Sequence, residues 1–292
     1  MSRKLVSFDW AMKKILREKA NFDILEGFLS ELFKFDVEIV EILESEGNQE
    51  REDDKFNRVD LLAKDNRGEL ILIEVQYDSE QDYFHRMLYG TSKLICEYME
   101  KGEAYSKVKK VYSVNIVYFA LAKGDDYLYY GKTEFIGQNS KDEIFELSNL
   151  QQKEFGINSV YQIFPEYFVI RVNKFKDITK NRLDEWIYFL KNEMIKDDFK
   201  AKGLDKAQKT LDIMKLNDKE RRAYNRKLEN LSLEKSLARS REIEAEERGR
   251  VDGEYQKQIE IARKLLIKDF DNDSISEITG LTQEEIENLI TK

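Results

Sequence analysis

Two acids and an amide stand in a short stretch of the sequence for which extended backbone is predicted. Thirteen residues separate Asp60 from Glu74, and Gln76 follows two positions later. Strand side chains alternate between the two faces of a sheet, so Glu74 and Gln76 share one face. Two carboxylates held close together by adjacent strands form a site for a hard divalent cation. Such a site is suited to the hydrolysis of a phosphodiester bond.

A predicted β-hairpin brings the two carboxylates together. The runs 58–64 and 69–76 are rich in Leu, Ile and Val, which predicts two strands. The residues 66–68 form a three-residue loop that ends in glycine, a common hairpin connection in which the glycine takes positive φ. This loop sets a register in which Asp60 faces Glu74, with Cβ atoms about 5 Å apart.

The hairpin by itself leaves a structural alternative open. A different loop would shift the register and send one acid to the other face of the sheet. Two neighbouring buried carboxylates repel each other, and their burial is costly unless a cation binds or pairs with them. In the structural alternative, Asp60 and Glu74 lie at a solvated sheet edge or pair with Arg58 and Lys64.

The hairpin resembles the core pattern of the PD-(D/E)XK nuclease superfamily, in which an Asp on one strand is followed by Glu-x-Lys on the next. It is similar to the Rpn family of recombination-promoting nucleases, also described as transposases, in which Glu-Val-Gln replaces Glu-x-Lys. The resemblance covers about residues 5–175. Flanking features that agree with the family are the segment 8–16, the helical segment 84–89, and the segment 101–105 before a predicted strand at 111–121.

The resemblance implies a restriction-endonuclease-like α/β fold, with a mixed sheet flanked by helices and an α-helical C-terminal extension. It implies that Asp60 and Glu74 bind the metal and that Asp9 adds an acid to the site. Gln76 occupies the place of the usual Lys and brings no positive charge to the attacking water. We hypothesise that Arg58, opposite Gln76 in the predicted register, supplies part of that charge.

The remaining candidate residues lie on a helix predicted at 81–99. Arg86 and Tyr89 are three residues apart and therefore share a helix face. They either brace the sheet that carries the site or contact phosphate, and bracing is the favoured role. The single histidine, His85, excludes a multi-histidine zinc site, and oxygen ligands favour Mg²⁺ or Mn²⁺.

Composition limits the partners of the chain. Its 292 residues carry 58 acids and 49 bases, a net charge of −9, so DNA binding is expected to be weak and salt-sensitive. No apolar run approaches the length of a membrane-spanning helix, and no secretory signal is predicted. The single cysteine, Cys96, permits no internal disulfide and is typical of a cytoplasmic protein. The absence of a Walker or Gly-x-Gly-x-x-Gly motif predicts no nucleotide cofactor.

The sequence predicts three parts: a nuclease-like domain at 1–176, a charged helical extension at 177–250 and a small helical module at 251–292. The module resembles a helix-turn-helix. Its helices are predicted to begin at capping boxes, Ser274-x-x-Glu277 and Thr282-x-x-Glu285, with Gly280 ending the first helix.

The second helix of this module, 283–290, carries three glutamates and neither Lys nor Arg. Glutamate repels phosphate, so a role in protein contacts is favoured over reading of the DNA groove. A homo-oligomer formed through the helical C-terminus is one such contact.

These features together predict a metal-dependent DNA endonuclease that acts in recombination, mobile elements or defence. Two alternatives belong to other functional classes. One is a nuclease-like fold without catalysis that binds DNA or other proteins, and the other is a helical adaptor with a scaffold domain. Asp60 and Glu74 favour the enzyme, whereas Gln76 and the acidic net charge favour an inactive fold.

Overall fold

The computed structural model describes residues 5–8, 10–11, 16–43, 61–139, 143–213 and 216–290. The chain divides into two compact units, Met1–Asn217 and Asp218–Lys292. The divisions after residues 176 and 250 that the sequence predicts stay a proposal. Among the described residues, no helix has the length and apolar character needed to cross a membrane.

A six-stranded mixed sheet forms the centre of the first unit, in the order β1-β2-β3-β4-β6-β5. Strands β3, β4 and β6 run parallel, whereas β1, β2 and β5 pair in antiparallel fashion. This is the mixed α/β sheet that the sequence predicts. The strands are β1 (Ile39–Leu43), β2 (Leu61–Asp65), β3 (Leu70–Gln76), β4 (Val111–Val117), β5 (Leu128–Gly131) and β6 (Glu166–Arg171).

The hairpin of β2 and β3 has the predicted loop and register. The amide of Asp65 donates to the carbonyl of Glu69 at 3.1 Å. Gly68 has the predicted positive φ, at +79°. Leu62 pairs with Leu72, the partner that this loop requires. The predicted partners beyond the described end of β2, Asp60 and Arg58, lie outside the described residues.

Five α-helices of the described residues accompany the sheet in this unit. They are α1 (Phe22–Phe33), α2 (Tyr83–Glu97), α3 (Asn149–Phe155), α4 (Arg182–Asn192) and α5 (Leu204–Thr210). Short 3-10 helices lie at Lys19–Asn21, Tyr105–Lys107, Val160–Gln162 and Val172–Lys174. The predicted strand at 111–121 is shorter than expected, because regular pairing in β4 ends at Val117.

Helix α2 covers one face of the sheet. Leu94, in its C-terminal half, packs in one cluster with Leu70 and Leu72 of β3. Tyr83 and Met87, in its N-terminal half, pack in a cluster with buried residues of β4 and β6. Each large apolar side chain buried in this way contributes about 1.5–3 kcal/mol to stability. The helix is therefore held firmly over the side chains of β3 that face it.

Aromatic side chains from α1 and α4 build the core on the opposite face. The Phe33 ring lies 4.8 Å from that of Tyr112 on β4 and 4.9 Å from that of Phe168 on β6. The rings of Phe28 and Trp186 lie 5.6 Å apart. Both sides of the central strands are thus covered, which accounts for the nearly continuous apolar sequence of β3 and β4.

The second unit consists of the long helix α6 (Asp218–Leu266) and the short helices α7 (Asn272–Thr279) and α8 (Gln283–Ile290). Its core is a cluster of Ala262, Ile275, Leu281 and Ile286. Three adjoining segments therefore share one apolar centre at the C-terminal end of α6.

One of the two predicted capping boxes in this unit is confirmed. Thr282 accepts from the amide of Glu285 at 3.3 Å and its own amide donates to the Glu285 carboxylate at 2.8 Å. The box at Ser274 is wrong, because α7 begins three residues earlier with Asp271 as its N-cap. The Asp271 carboxylate accepts from the amide of Ser274 at 2.9 Å, which makes that serine part of the first turn. Gly280 ends α7 at φ +74°, as predicted.

Candidate active site

The candidate site lies where the parallel strands β3 and β4 end, beneath the N-terminal half of α2. We call this end of the sheet the site edge. Glu74 of β3 is paired in register with Asn115 of β4, and both are buried, at 4% and 1% exposure. Glu74 belongs to the same alternating set as Leu70 and Leu72, which pack against α2. The carboxylate is therefore on the face of the sheet that α2 covers.

Arg86 of α2 is the cation nearest to Glu74 among the ion pairs of the described residues. Its Nε lies 3.6 Å from Glu74 Oε2, and its Nη1 donates to Glu80 Oε2 at 3.0 Å. Burial works against the guanidinium charge, but Glu74 and Glu80 outweigh it and raise the pKa of Arg86 above its ordinary value. Arg86 therefore stays charged and links the strand acid to the segment that leads into α2.

Gln76 and Tyr89 are more open to solvent than Glu74. Gln76 ends β3 on the same face as Glu74, is partly exposed, and donates from Nε2 to the carbonyl of Asp78 at 3.3 Å. Tyr89 is 46% exposed on α2. The other predicted site residues, Asp9, Arg58 and Asp60, lie outside the described residues.

A buried polar network beside Glu74 is not among the residues that the sequence singled out. The Tyr83 hydroxyl donates to Asn115 Oδ1 at 3.3 Å, and Asn115 Nδ2 donates to Ser113 Oγ at 2.9 Å. The signal for it is present in the sequence, because Ser113 and Asn115 interrupt an otherwise apolar strand at alternate positions. Buried polar groups of this kind are hydrogen-bonded in folded proteins, and here they fix the strand that flanks the site acid.

The oxygen donors at the site edge have the chemistry that a hard divalent cation requires. Glu74 provides a carboxylate and Gln76 an amide oxygen. Within the part of the chain that the structure describes, no group of three or more His, Cys, Asp or Glu side chains could hold a metal ion. Asp60 and Asp9, the further acids that the sequence predicts for the site, lie outside the described residues.

Comparison with known proteins identifies the family of the chain. A model of the PD-(D/E)XK nuclease family transposases matches residues 6–240, and a model of the Rpn/YhgA-like nuclease family, C-terminal HTH domain, matches residues 256–291. No curated protein and no solved structure matches the chain. The first match includes the whole sheet and the second includes α7 and α8, so the predicted helix-turn-helix is confirmed. The chain belongs to the PD-(D/E)XK nuclease family transposases, with the nuclease fold and the nuclease or transposase-like role of that family.

Proposed function

We propose that the protein is a DNA endonuclease that hydrolyses phosphodiester bonds with the help of Mg²⁺ or Mn²⁺. The observation that carries the proposal is the buried carboxylate of Glu74 at the end of parallel strands, 3.6 Å from the guanidinium of Arg86. Its biological setting would be recombination, mobile elements or defence. Family membership supports the chemistry. The helix-turn-helix match supports DNA as a partner, in contrast to the protein contact that the glutamates of α8 favour.

Each residue of the site has a distinct role in this proposal. Asp60 and Glu74 hold the divalent ion, with Asp9 as an additional acid. When bound, such an ion lowers the pKa of a water molecule and offsets charge on the phosphate oxygens. The Gln76 amide orients the attacking water by hydrogen bonds, and Arg58 supplies positive charge to the phosphate.

Arg86 acts as a positioning residue in this scheme. Its ion pair with Glu74 and its hydrogen bond to Glu80 join the strand to the start of α2. A second contact of this kind restricts the orientation of a metal-binding carboxylate. Tyr89 is exposed on the same helix, so we assign it to contact with DNA instead of the predicted bracing.

Plasmid cleavage tests the proposed activity. Purified wild-type protein with Mg²⁺ is expected to nick or linearise supercoiled plasmid, and EDTA is expected to stop the reaction. Asp60→Ala is expected to abolish cleavage because it removes a ligand of the ion. Equal nicking by wild type and Asp60→Ala would assign the activity to a contaminant and overturn the proposal.

The role of Arg58 is tested separately in the same assay. If Arg58 supplies charge that Gln76 lacks, Arg58→Ala should lower the cleavage rate while Arg58→Lys retains part of it. Cleavage by Arg58→Ala at the wild-type rate would remove Arg58 from the mechanism and leave the rest of the site intact.

One observation favours a second function, that of a nuclease fold without catalysis. Gln76 brings no charge, and its amide donates to the backbone carbonyl of Asp78. Binding of DNA without cleavage in Mg²⁺ and in Mn²⁺ would support this alternative. The glutamate-rich α8 also fits contact with a second copy of the chain, and light scattering of the wild-type protein measures that association.

A further inference from the structure

A groove between α2 and the strands β5 and β6 lies apart from the predicted site residues. It has a volume of ≈ 370 Å³, within the range of about 300–1,000 Å³ that small-molecule sites occupy. We propose that this groove, called here the α2–β5 groove, holds an unpaired nucleobase of the DNA substrate. The inference rests on the proposed nuclease function. Its lining includes Phe84, Met87, Leu88, Tyr129, Gly131 and Val169.

The groove is apolar and open to solvent. Phe84 and Leu88 of α2 are 51% and 60% exposed, and Tyr129 on β5 is 39% exposed. The floor is formed by the buried side chains of Met87 and Val169. Contiguous exposed apolar surface of this kind marks a site of interaction, because covering it with a ligand releases water and is favourable in free energy.

Tyr129 is held in place as an aromatic platform. The guanidinium of Arg171 lies 5.9 Å from the centre of its ring, and the amide of Asp126 donates to its hydroxyl at 3.2 Å. A ring fixed in this way loses little conformational entropy when a ligand stacks on it. Every nucleobase presents a π-face, so aromatic platforms accept unpaired bases with little regard to sequence.

Arg171 adds a buried positive charge behind this ring. Only 3% of the residue is exposed, and its Nη1 and Nη2 donate to the carbonyls of Gly124 and Ala122 at 2.8 and 3.3 Å. Its Nε has no hydrogen-bond partner within the described part of the chain. Carbonyl groups do not neutralise the guanidinium, so this end of the groove favours a base that belongs to an anionic DNA strand over a neutral apolar peptide.

The groove and the candidate active site share helix α2. The same helix carries Arg86, which contacts Glu74, and the groove residues Phe84 and Leu88. Three strand spacings separate β3 from β5 in the sheet, a distance of about 14 Å. This corresponds to about four base steps at the rise of a duplex strand, and to fewer nucleotides of an extended unpaired strand. A strand cut near Glu74 can therefore place a base from its unpaired portion in the groove.

A fluorescent base measures occupancy of the groove without any cleavage. The full chain is mixed in EDTA with DNA that carries 2-aminopurine in a single-stranded overhang next to a duplex. Wild type is expected to quench the fluorescence and to bind this DNA more tightly than the fully paired duplex. Tyr129→Ala is expected to abolish the quenching and weaken binding of the overhang DNA about tenfold, whereas Tyr129→Phe keeps both.

A second variant fills the groove instead of removing its platform. A Cβ added at Gly131 would lie 3.5 Å from the Cβ of Tyr167, an ordinary contact, so Gly131→Val is compatible with the strand. Its branches would occupy the groove, and the loss of quenching should match that of Tyr129→Ala. Tyr105→Ala is the matched control, since Tyr105 is 88% exposed in a short 3-10 helix outside the groove lining.

The outcomes separate this inference from the nuclease proposal. Wild-type quenching by both Tyr129→Ala and Gly131→Val would overturn the groove proposal, even if plasmid cleavage is intact. Lost quenching in both variants, with no cleavage by wild type, would support the groove and overturn only the nuclease proposal. Light scattering tests whether a second copy of the chain occupies the groove instead. If wild type is a dimer and both variants are monomers, a second copy fills the groove and the inference is overturned.

Discussion

Acidic residues at the two ends of the central strands have different partners. At the hairpin end, called here the loop edge, Asp65 Oδ1 accepts from the amides of Arg67 and Glu69 at 3.0 and 2.8 Å. These bonds close the turn. At the site edge, Glu74 stands inside β3 opposite Asn115, and the Arg86 guanidinium is 3.6 Å away. The comparison teaches that a buried acid indicates function where no turn, helix cap or fully buried ion pair explains it.

The cations at the two edges also differ, in the burial and the length of their ion pairs. Lys110, at the loop edge, lies 2.7 Å from Glu166, and both side chains are at least nine-tenths buried. Its Nζ also donates to the carbonyl of Tyr161 at 3.1 Å. Arg86, at the site edge, is 27% exposed and forms a longer ion pair with its buried acid. Variants at matched positions on the two edges therefore test whether stability and activity are divided between them.

The largest expected effect is on plasmid cleavage, when an acid at the site edge is substituted and an acid at the loop edge serves as the control. Glu74→Gln should lower the rate of plasmid cleavage on the order of a thousandfold, because it replaces a charged ligand of the proposed divalent ion with a neutral one. Glu69→Gln, its matched control at the loop edge, should cleave within about twofold of wild type, because effects at distant sites are independent. Equal losses in both variants would show that the comparison between the edges is wrong.

The next effect is on stability, from the buried pair at the loop edge. Lys110→Met should lower the free energy of unfolding by about 3 kcal/mol, because it leaves the Glu166 carboxylate buried without its cation. Arg86→Met should lower it by less, since Arg86 is more exposed and its ion pair is longer. Urea denaturation followed by circular dichroism measures both, and the reverse order would contradict the division.

A smaller effect on cleavage should follow from loss of the positioning residue. Arg86→Gln should lower kcat about tenfold with little change in KM, because Glu74 is less well oriented. Arg86→Lys should recover part of the rate. A direct contact with phosphate would instead raise KM and reduce its dependence on salt. Steady-state kinetics on an oligonucleotide at two salt concentrations distinguishes the two roles.

The smallest effect concerns pH and the loop edge. Burial raises the pKa of Glu69, against the charge of Arg67 and with a contribution from Asp65. Because the pKa of Glu69 is higher in the folded protein than in the unfolded chain, the protonated carboxyl stabilises the fold at pH values below the unfolded-state pKa. This stabilisation is lost as the pH rises through the folded-state pKa.

Glu69→Gln removes that titration. The variant should therefore gain stability relative to wild type as pH rises from about 4.5, the ordinary value for Glu, through the raised value. Urea denaturation at several pH values checks the sign. A parallel pH dependence in the two proteins would contradict the assignment.

Local chemistry made much of the hairpin predictable. The residues between the strands contain a glycine at the position that needs positive φ, and this fixed the pairing of Leu62 with Leu72. The start of α7 was harder to predict, because Asp271 and Ser274 are both good N-caps three residues apart. A helix can begin after either residue, and the one that begins after Asp271 is longer by about one turn and is the one that forms.

Contacts between distant parts of the chain could not be predicted in the same way. Asn115 becomes important only because β4 pairs in parallel with β3, which places it beside Glu74. The α2–β5 groove joins Phe84 to Tyr129 and Gly131, which are separated by more than 40 residues in the sequence. Periodicity indicates which face of an element is apolar, but it doesn't give the partner of that face.

The sequence by itself determined the family, the mixed α/β class and the register of the hairpin that carries Glu74. These depend on residue types at short spacing, where turn chemistry and strand alternation act locally. Only the tertiary structure decided that Arg86 contacts Glu74, that Asn115 lies beside it and that a groove opens next to α2. Packing of α2 against β3, β4 and β6 creates these contacts. The free energy of that packing depends on side chains from several strands at once and cannot be assigned to one local segment.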